Sequence, residues 1–142
     1  MGWDDAFTIA NASVLPAWLL LILAPRARVT KILVHSVVIP IALGIAYAIL
    51  LFGDPDGSGG MDLAGVMRAL RSERTFVAAW IHYLIFDLFV ASWQVRDAAR
   101  RGIAHWKIVP SLIVTLFFGP VGLVSYAVIR LLHKQGIALD ET

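Results

Sequence analysis

Phe76–Val95, FVAAWIHYLIFDLFVASWQV, is the stretch from which the rest of the chain is read. Its length is what a helix needs to cross ~30 Å of hydrocarbon. Near its middle sits one carboxylate, Asp87. A charge at that depth costs about 2.5 kcal/mol or more unless it is protonated, paired or turned to a wet cavity. Such residues usually mark a site, and His82 and Tyr83 lie about one turn away. On the helical wheel Trp80, Tyr83, Asp87, Ala91 and Gln94 form one stripe, whose polarity turns it to the interior of a bundle. Tyr83 is placed to donate to Asp87. His82 lies about 140° round the helix from Asp87, so it joins either a site or an interfacial contact. A polar clamp joining two helices is the structural alternative for Asp87.

Composition agrees with a membrane reading. Of 142 residues, 59% are hydrophobic and only 15% charged, too little polar surface to cover a soluble core. There is no cysteine, which excludes disulfides and thiolate metal sites. The net charge of +2 is small, and the basic residues sit beside apolar runs. They read as topology signals and not as nucleic-acid contacts. Met1-Gly2-Trp3-Asp4-Asp5 is acidic where a signal peptide is basic. The expected location is an integral membrane setting, a bacterial inner membrane or, in a plant, a plastid membrane.

The expected fold is all-α: a single-domain integral membrane four-helix bundle. Its spans are expected at about 7–24, 30–52, 76–95 and 108–132. Between the second and third, Gly53–Gly60 (GDPDGSGG) reads as a turn-rich connector. There Leu63, Val66, Met67 and Leu70 recur at i, i+3, i+4 and i+7. That pattern predicts a short amphipathic helix over 62–72, lying in the headgroups or serving only as a polar connector. Four spans leave seven Lys and Arg on one side (Arg26, Arg28, Lys31, Arg96, Arg100, Arg101, Lys107) and five on the other, placing both termini outside by a narrow margin. In that topology Asn11, Tyr47, His82, Tyr83, Ser125 and Tyr126 share the outer half and suggest a polar-lined pocket.

Prolines interrupt three spans at Pro16, Pro40 and Pro120. Phe118-Gly119-Pro120-Val121-Gly122 is the strongest candidate for a kink or broken turn, at about the depth of Asp87. Packing alone is the alternative. A bis-histidine haem does not fit, because His35 and His82 differ by roughly 10 Å or more in depth. A calcium loop beginning at Asp54 fails because Gly65 stands where the twelfth-position Glu belongs. No cofactor and no metal are expected.

The motif series resembles one family. Leu15-Pro16-Ala17-Trp18, Ala24-Pro25-Arg26, Trp80-Ile81-His82-Tyr83-Leu84-Ile85-Phe86-Asp87, Arg96-Asp97, Arg100-Arg101-Gly102-Ile103 and Phe118-Gly119-Pro120-Val121-Gly122 resemble the neoxanthin synthase-like, or abscisic-acid-deficient-four-like, membrane proteins. The resemblance implies carotenoid metabolism, with an epoxy-xanthophyll isomerised to an allene. That chemistry needs an acid at the epoxide oxygen and a base at the neighbouring polyene carbon. By chemistry and position, protonated Asp87 with Tyr83 is the candidate acid and His82 the candidate base. Asn11, Tyr47, Trp80 and Tyr126 are the expected substrate contacts. A non-catalytic carotenoid-binding or scaffold protein is the alternative. The expected partners are a carotenoid or other polyene lipid, membrane lipids and a second copy of the chain through Ala42, Gly44, Ala46 and Ala48. No nucleic acid is expected.

Overall fold

The computed structural model describes residues 2–36, 38–53, 60 and 62–136, and these form helices and turns only. The connector at 54–59 lies outside the described residues.

The fold is organised by the polar-striped segment, which becomes the long helix α5 (Glu73–Arg100). It extends past the apolar run at both ends and stops where Gly102 takes a φ of 67°. Asp87, Ala91 and Gln94 are buried as the stripe requires, and the stripe continues through Asp97 and Ala98. The other helices described below, apart from the short Arg28–Leu33 helix, pack around α5.

Helix α1 (Trp3–Leu23) buries Ala10, Val14, Ala17, Trp18 and Leu21, and Pro16 does not end it. The second expected span is two pieces, α2 (Arg28–Leu33) and α3 (Val38–Phe52). Pro40 favours the division: its ring crowds the carbonyl four residues earlier, that of Ser36, which lies in the turn between the two pieces. In the first turn of α3 its missing N–H costs nothing. Helix α4 (Leu63–Leu70) lies within the interval expected to be amphipathic, and Asp62 caps it by accepting from the Gly65 N–H at 3.0 Å. Its apolar residues Leu63, Val66, Met67 and Leu70 are exposed. Arg74 crosses to the end of α3, donating to the Leu50 and Ile49 carbonyls at 2.7 and 3.1 Å.

The expected fourth span is the main correction. It is two helices, α6 (His105–Phe118) and α7 (Pro120–Leu132), folded back on each other. Lys107 Nζ donates to His133 Nε2 at 2.8 Å across 26 residues. An unbroken helix would hold those residues about 39 Å apart. Gly119 makes the reversal, with a φ of 40° that favours glycine, and Pro120 starts α7 at the position a proline suits. With 14 and 13 residues, each arm reaches only about 20 Å. Three stretches, Trp3–Leu23, Arg28–Phe52 and Glu73–Arg100, are long and apolar enough to cross a membrane. The architecture is therefore three such segments and an antiparallel helical hairpin in place of a four-helix bundle.

Gly122 is what lets the arms meet, since a Cβ there would overlap the backbone of Thr115. Backbone cannot step aside as a side-chain tip can. Gly122→Ala is therefore expected to lower stability by about 1–3 kcal/mol or more, measured as unfolding in detergent. A variant that melts with the wild type would contradict the close approach.

Candidate functional site

Two polar clusters lie inside this helical frame, both on the buried face of α5. The first is Asp87, which is 7% exposed. Tyr83, one turn earlier on the same face of α5, places its hydroxyl close enough to interact with that carboxyl group. The hairpin tip covers it: a Cβ on Gly119 would stand 2.5 Å from Asp87 Oδ1 and 3.2 Å from Cγ. Only a residue without a side chain both adopts the turn and leaves the carboxyl its space. Asp87 Oδ2 has no hydrogen-bond partner among the described residues. Buried polar atoms are nearly always satisfied, so an idle carboxyl oxygen in an apolar interior calls for a role. Gly119→Ala is expected to displace Asp87, cutting any conversion that depends on it and lowering the melting temperature. Unchanged values of both would show that the contact is dispensable.

The second cluster is at the other end of the stripe. Asp97, 2% exposed, accepts from Tyr126 Oη at 2.6 Å and from Arg101 Nε at 3.0 Å on each oxygen. Arg130, also 2% exposed, brings Nε to 3.6 Å, and Arg100 reaches 3.6 Å from the exposed side. Between the clusters, Gln94 donates to Thr115 Oγ1 at 3.0 Å and accepts from Ser111 at 3.2 Å, which fixes α6 against α5. In the sequence Asp97 stands out only as part of the Arg96-Asp97 motif, and Arg130 only as one of the five basic residues counted on the second side.

The remaining expected site residues divide. Trp80 Nε1 donates to Asn11 Oδ1 at 3.1 Å, and its ring lies 5.3 Å from that of Tyr83. Asn11, Trp80, Tyr83 and Asp87 thus form one connected face between α1 and α5. His82 is exposed and turns the other way, its ring 5.6 Å from Tyr47 and 4.6 Å from Phe86. Tyr47 and His82 are together, but apart from Asp87. Tyr126 is fully buried beside Asp97. Ser125 and Tyr126 do not join the Asn11 end, because the reversal at Gly119 carries α7 back toward the end of α5.

A groove of about 420 Å³ runs between α5 and α7, walled by Phe89, Val90, Trp93, Leu123, Tyr126, Ala127 and Arg130. It is within the size range of small-molecule sites. Its walls begin close in sequence to Asp87 and Gly119 and end at the Asp97 cluster. No group of three or more metal-ligating side chains occurs among the described residues.

A family model described as ABA DEFICIENT 4-like matches residues 5–126. Protein ABA DEFICIENT 4, chloroplastic, of Arabidopsis thaliana is 33% identical over 137 residues, covering 89% of this chain and 61% of that protein. The chain thus spans about three-fifths of that relative's length. No solved structure matches. On the family model, and on the motif series that runs from the α1 proline to the hairpin tip, the chain belongs to the ABA4-like family.

Proposed function

We propose that the chain is an integral membrane protein that isomerises an epoxy-xanthophyll or a related polyene lipid, with the Asp87 carboxyl as the reacting group. Family membership supports the carotenoid theme. The observation that carries the chemistry is the buried, partnerless Oδ2 of Asp87. Tyr83 lies beside the carboxyl and favours its charged form when the proton has left. The protonated Oδ2 gives its proton to the epoxide oxygen as the C–O bond breaks. The carboxylate left behind takes the proton from the adjacent polyene carbon. One proton is given and one recovered, so the reaction needs no redox partner. This scheme leaves His82 outside the reaction, since it faces Tyr47 and Phe86.

In the proposed membrane setting the hairpin changes the charge balance. Arg26, Arg28, Lys31, Arg96, Arg100, Arg101, Lys107, Arg130 and Lys134 then lie at one end, with only Arg68, Arg71 and Arg74 at the other. Nine against three is a much stronger positive-inside bias than seven against five. It puts the N-terminal end of α1 outside and the C-terminal end of α7 inside. The exposed apolar face of α4 then lies in the outer headgroups. The chloroplastic name of the Arabidopsis relative agrees with a plastid membrane for a plant protein. A second copy would meet α3 through Ala42 and Gly44, since Ala46 packs inward and Gly44 has open space beside it.

The experiment is expression in a host that accumulates an epoxy-xanthophyll, followed by chromatography and absorption spectra of the pigments. Appearance of an isomer of equal mass with a shortened conjugated system is the expected result. Epoxide recovered unchanged with the purified protein would replace the enzyme with a pigment-binding protein.

A further inference from the structure

We propose that a second site, at the turn between α1 and α2, binds a phosphate-bearing anion, supplied in the membrane by the headgroup of an acidic phospholipid. A cavity of about 370 Å³ opens there. Arg26, Lys31 and Arg96 converge on it from the α1–α2 turn, α2 and α5, joined by His35 and His105. No carboxylate lines it, and among the described residues none forms an ion pair with any of the three cations. Three cations gathered without a counter-ion repel one another, so a bound anion would relieve an existing cost.

The cavity is framed by hydrogen bonds to backbone carbonyls. His105 Nε2 donates to the Ile22 carbonyl at 2.9 Å and His35 Nε2 to the Pro25 carbonyl at 3.3 Å. Arg96 Nη1 donates to the His35 carbonyl at 3.3 Å, which points its guanidinium along the rim. A preformed cationic rim lowers the ordering cost of binding. Val95 and Ala98 of α5, Ile103 of the turn after it and Ile108 of α6 supply an apolar lining that suits the start of an acyl chain. Basic pockets between helices at the inner face suit anionic headgroups. This assignment uses the membrane reading and is independent of chemistry at Asp87.

The test reconstitutes the whole chain in nanodiscs of mixed phosphatidylglycerol and phosphatidylcholine and quantifies the lipid retained after detergent extraction. Wild type is expected to retain phosphatidylglycerol selectively. Arg26→Gln with Lys31→Gln should reduce that selectivity about fivefold for each charge removed. Arg68→Gln with Arg71→Gln, on the far end, should leave it unchanged. Both side chains of the first pair are exposed, and equal melting of that variant and wild type in neutral detergent confirms that it folds. A parallel arm adds inorganic phosphate to the detergent-solubilised protein. Protection of wild type but not the variant by phosphate, with no preference between lipids, would overturn the headgroup source and assign the site to the free anion. No lipid preference and no phosphate protection would overturn the site itself.

Discussion

Asp87→Asn is expected to lower conversion of an epoxide substrate by at least about 100-fold while pigment still binds. The substitution keeps the size and shape of the side chain, so the packing on Gly119 and the reach of Tyr83 survive. It removes only the transferable proton and the base that recovers it. General acid–base contributions are about 100- to 10,000-fold, and this scheme asks one group for both halves. Tyr83→Phe removes only the hydroxyl beside the carboxyl and should cost less, about tenfold. Pigment analysis of matched membrane preparations measures both. Near-wild-type conversion by Asp87→Asn would end the proposed mechanism. Loss of bound pigment together with conversion would instead point to a structural clamp between α5 and the hairpin.

The largest stability effect is expected at the opposite end of the stripe. Asp97→Ala takes from the buried Arg130 the carboxylate 3.6 Å from its Nε and from Tyr126 its acceptor. Removing one member of a buried ion pair costs about 3–5 kcal/mol, since the remaining charge stays desolvated. Arg130→Met should be of comparable severity, and the two should not add. Asp97→Leu combined with Arg130→Met removes both charges and should recover part of the loss. Equilibrium unfolding in detergent across this cycle measures the coupling. Strict additivity would mean that Asp97 and Arg130 do not act as a pair.

Much of this was legible in the residues, and the failures have identifiable causes. The interior stripe of α5 follows from polarity at helical spacing, which lipid-like surroundings enforce strongly. The end of α3's predecessor and the break at Gly119 were both marked by proline. The direction taken after the break was not marked. A glycine-proline pair announces that the helix stops, whereas the reversal depends on Gly122 fitting against Thr115, about 12 Å of helix away from Arg130 and Lys107. With that step unread, Tyr126 was assigned to the wrong end. One signal was available: Arg130 sits in an apolar run four residues after Tyr126, on the same helical face. A cation so placed requires a carboxylate, and Asp97 was the nearest unassigned acid at a helix end. The free oxygen of Asp87 could not be read at all, because hydrogen-bond satisfaction is a property of the packed interior.

In the proposed membrane setting the hairpin also bears on how the chain would enter a bilayer. A straight fourth segment would have to carry Arg130, His133 and Lys134 through hydrocarbon to the far side. Doubled back at Gly119, α6 and α7 would come to rest without translocating any of them. The last quarter of the described chain could then assemble from the side where it was synthesised, after the other segments are in place. Truncation at residue 104 would remove the cover over Asp87 but leave the number of membrane crossings unchanged.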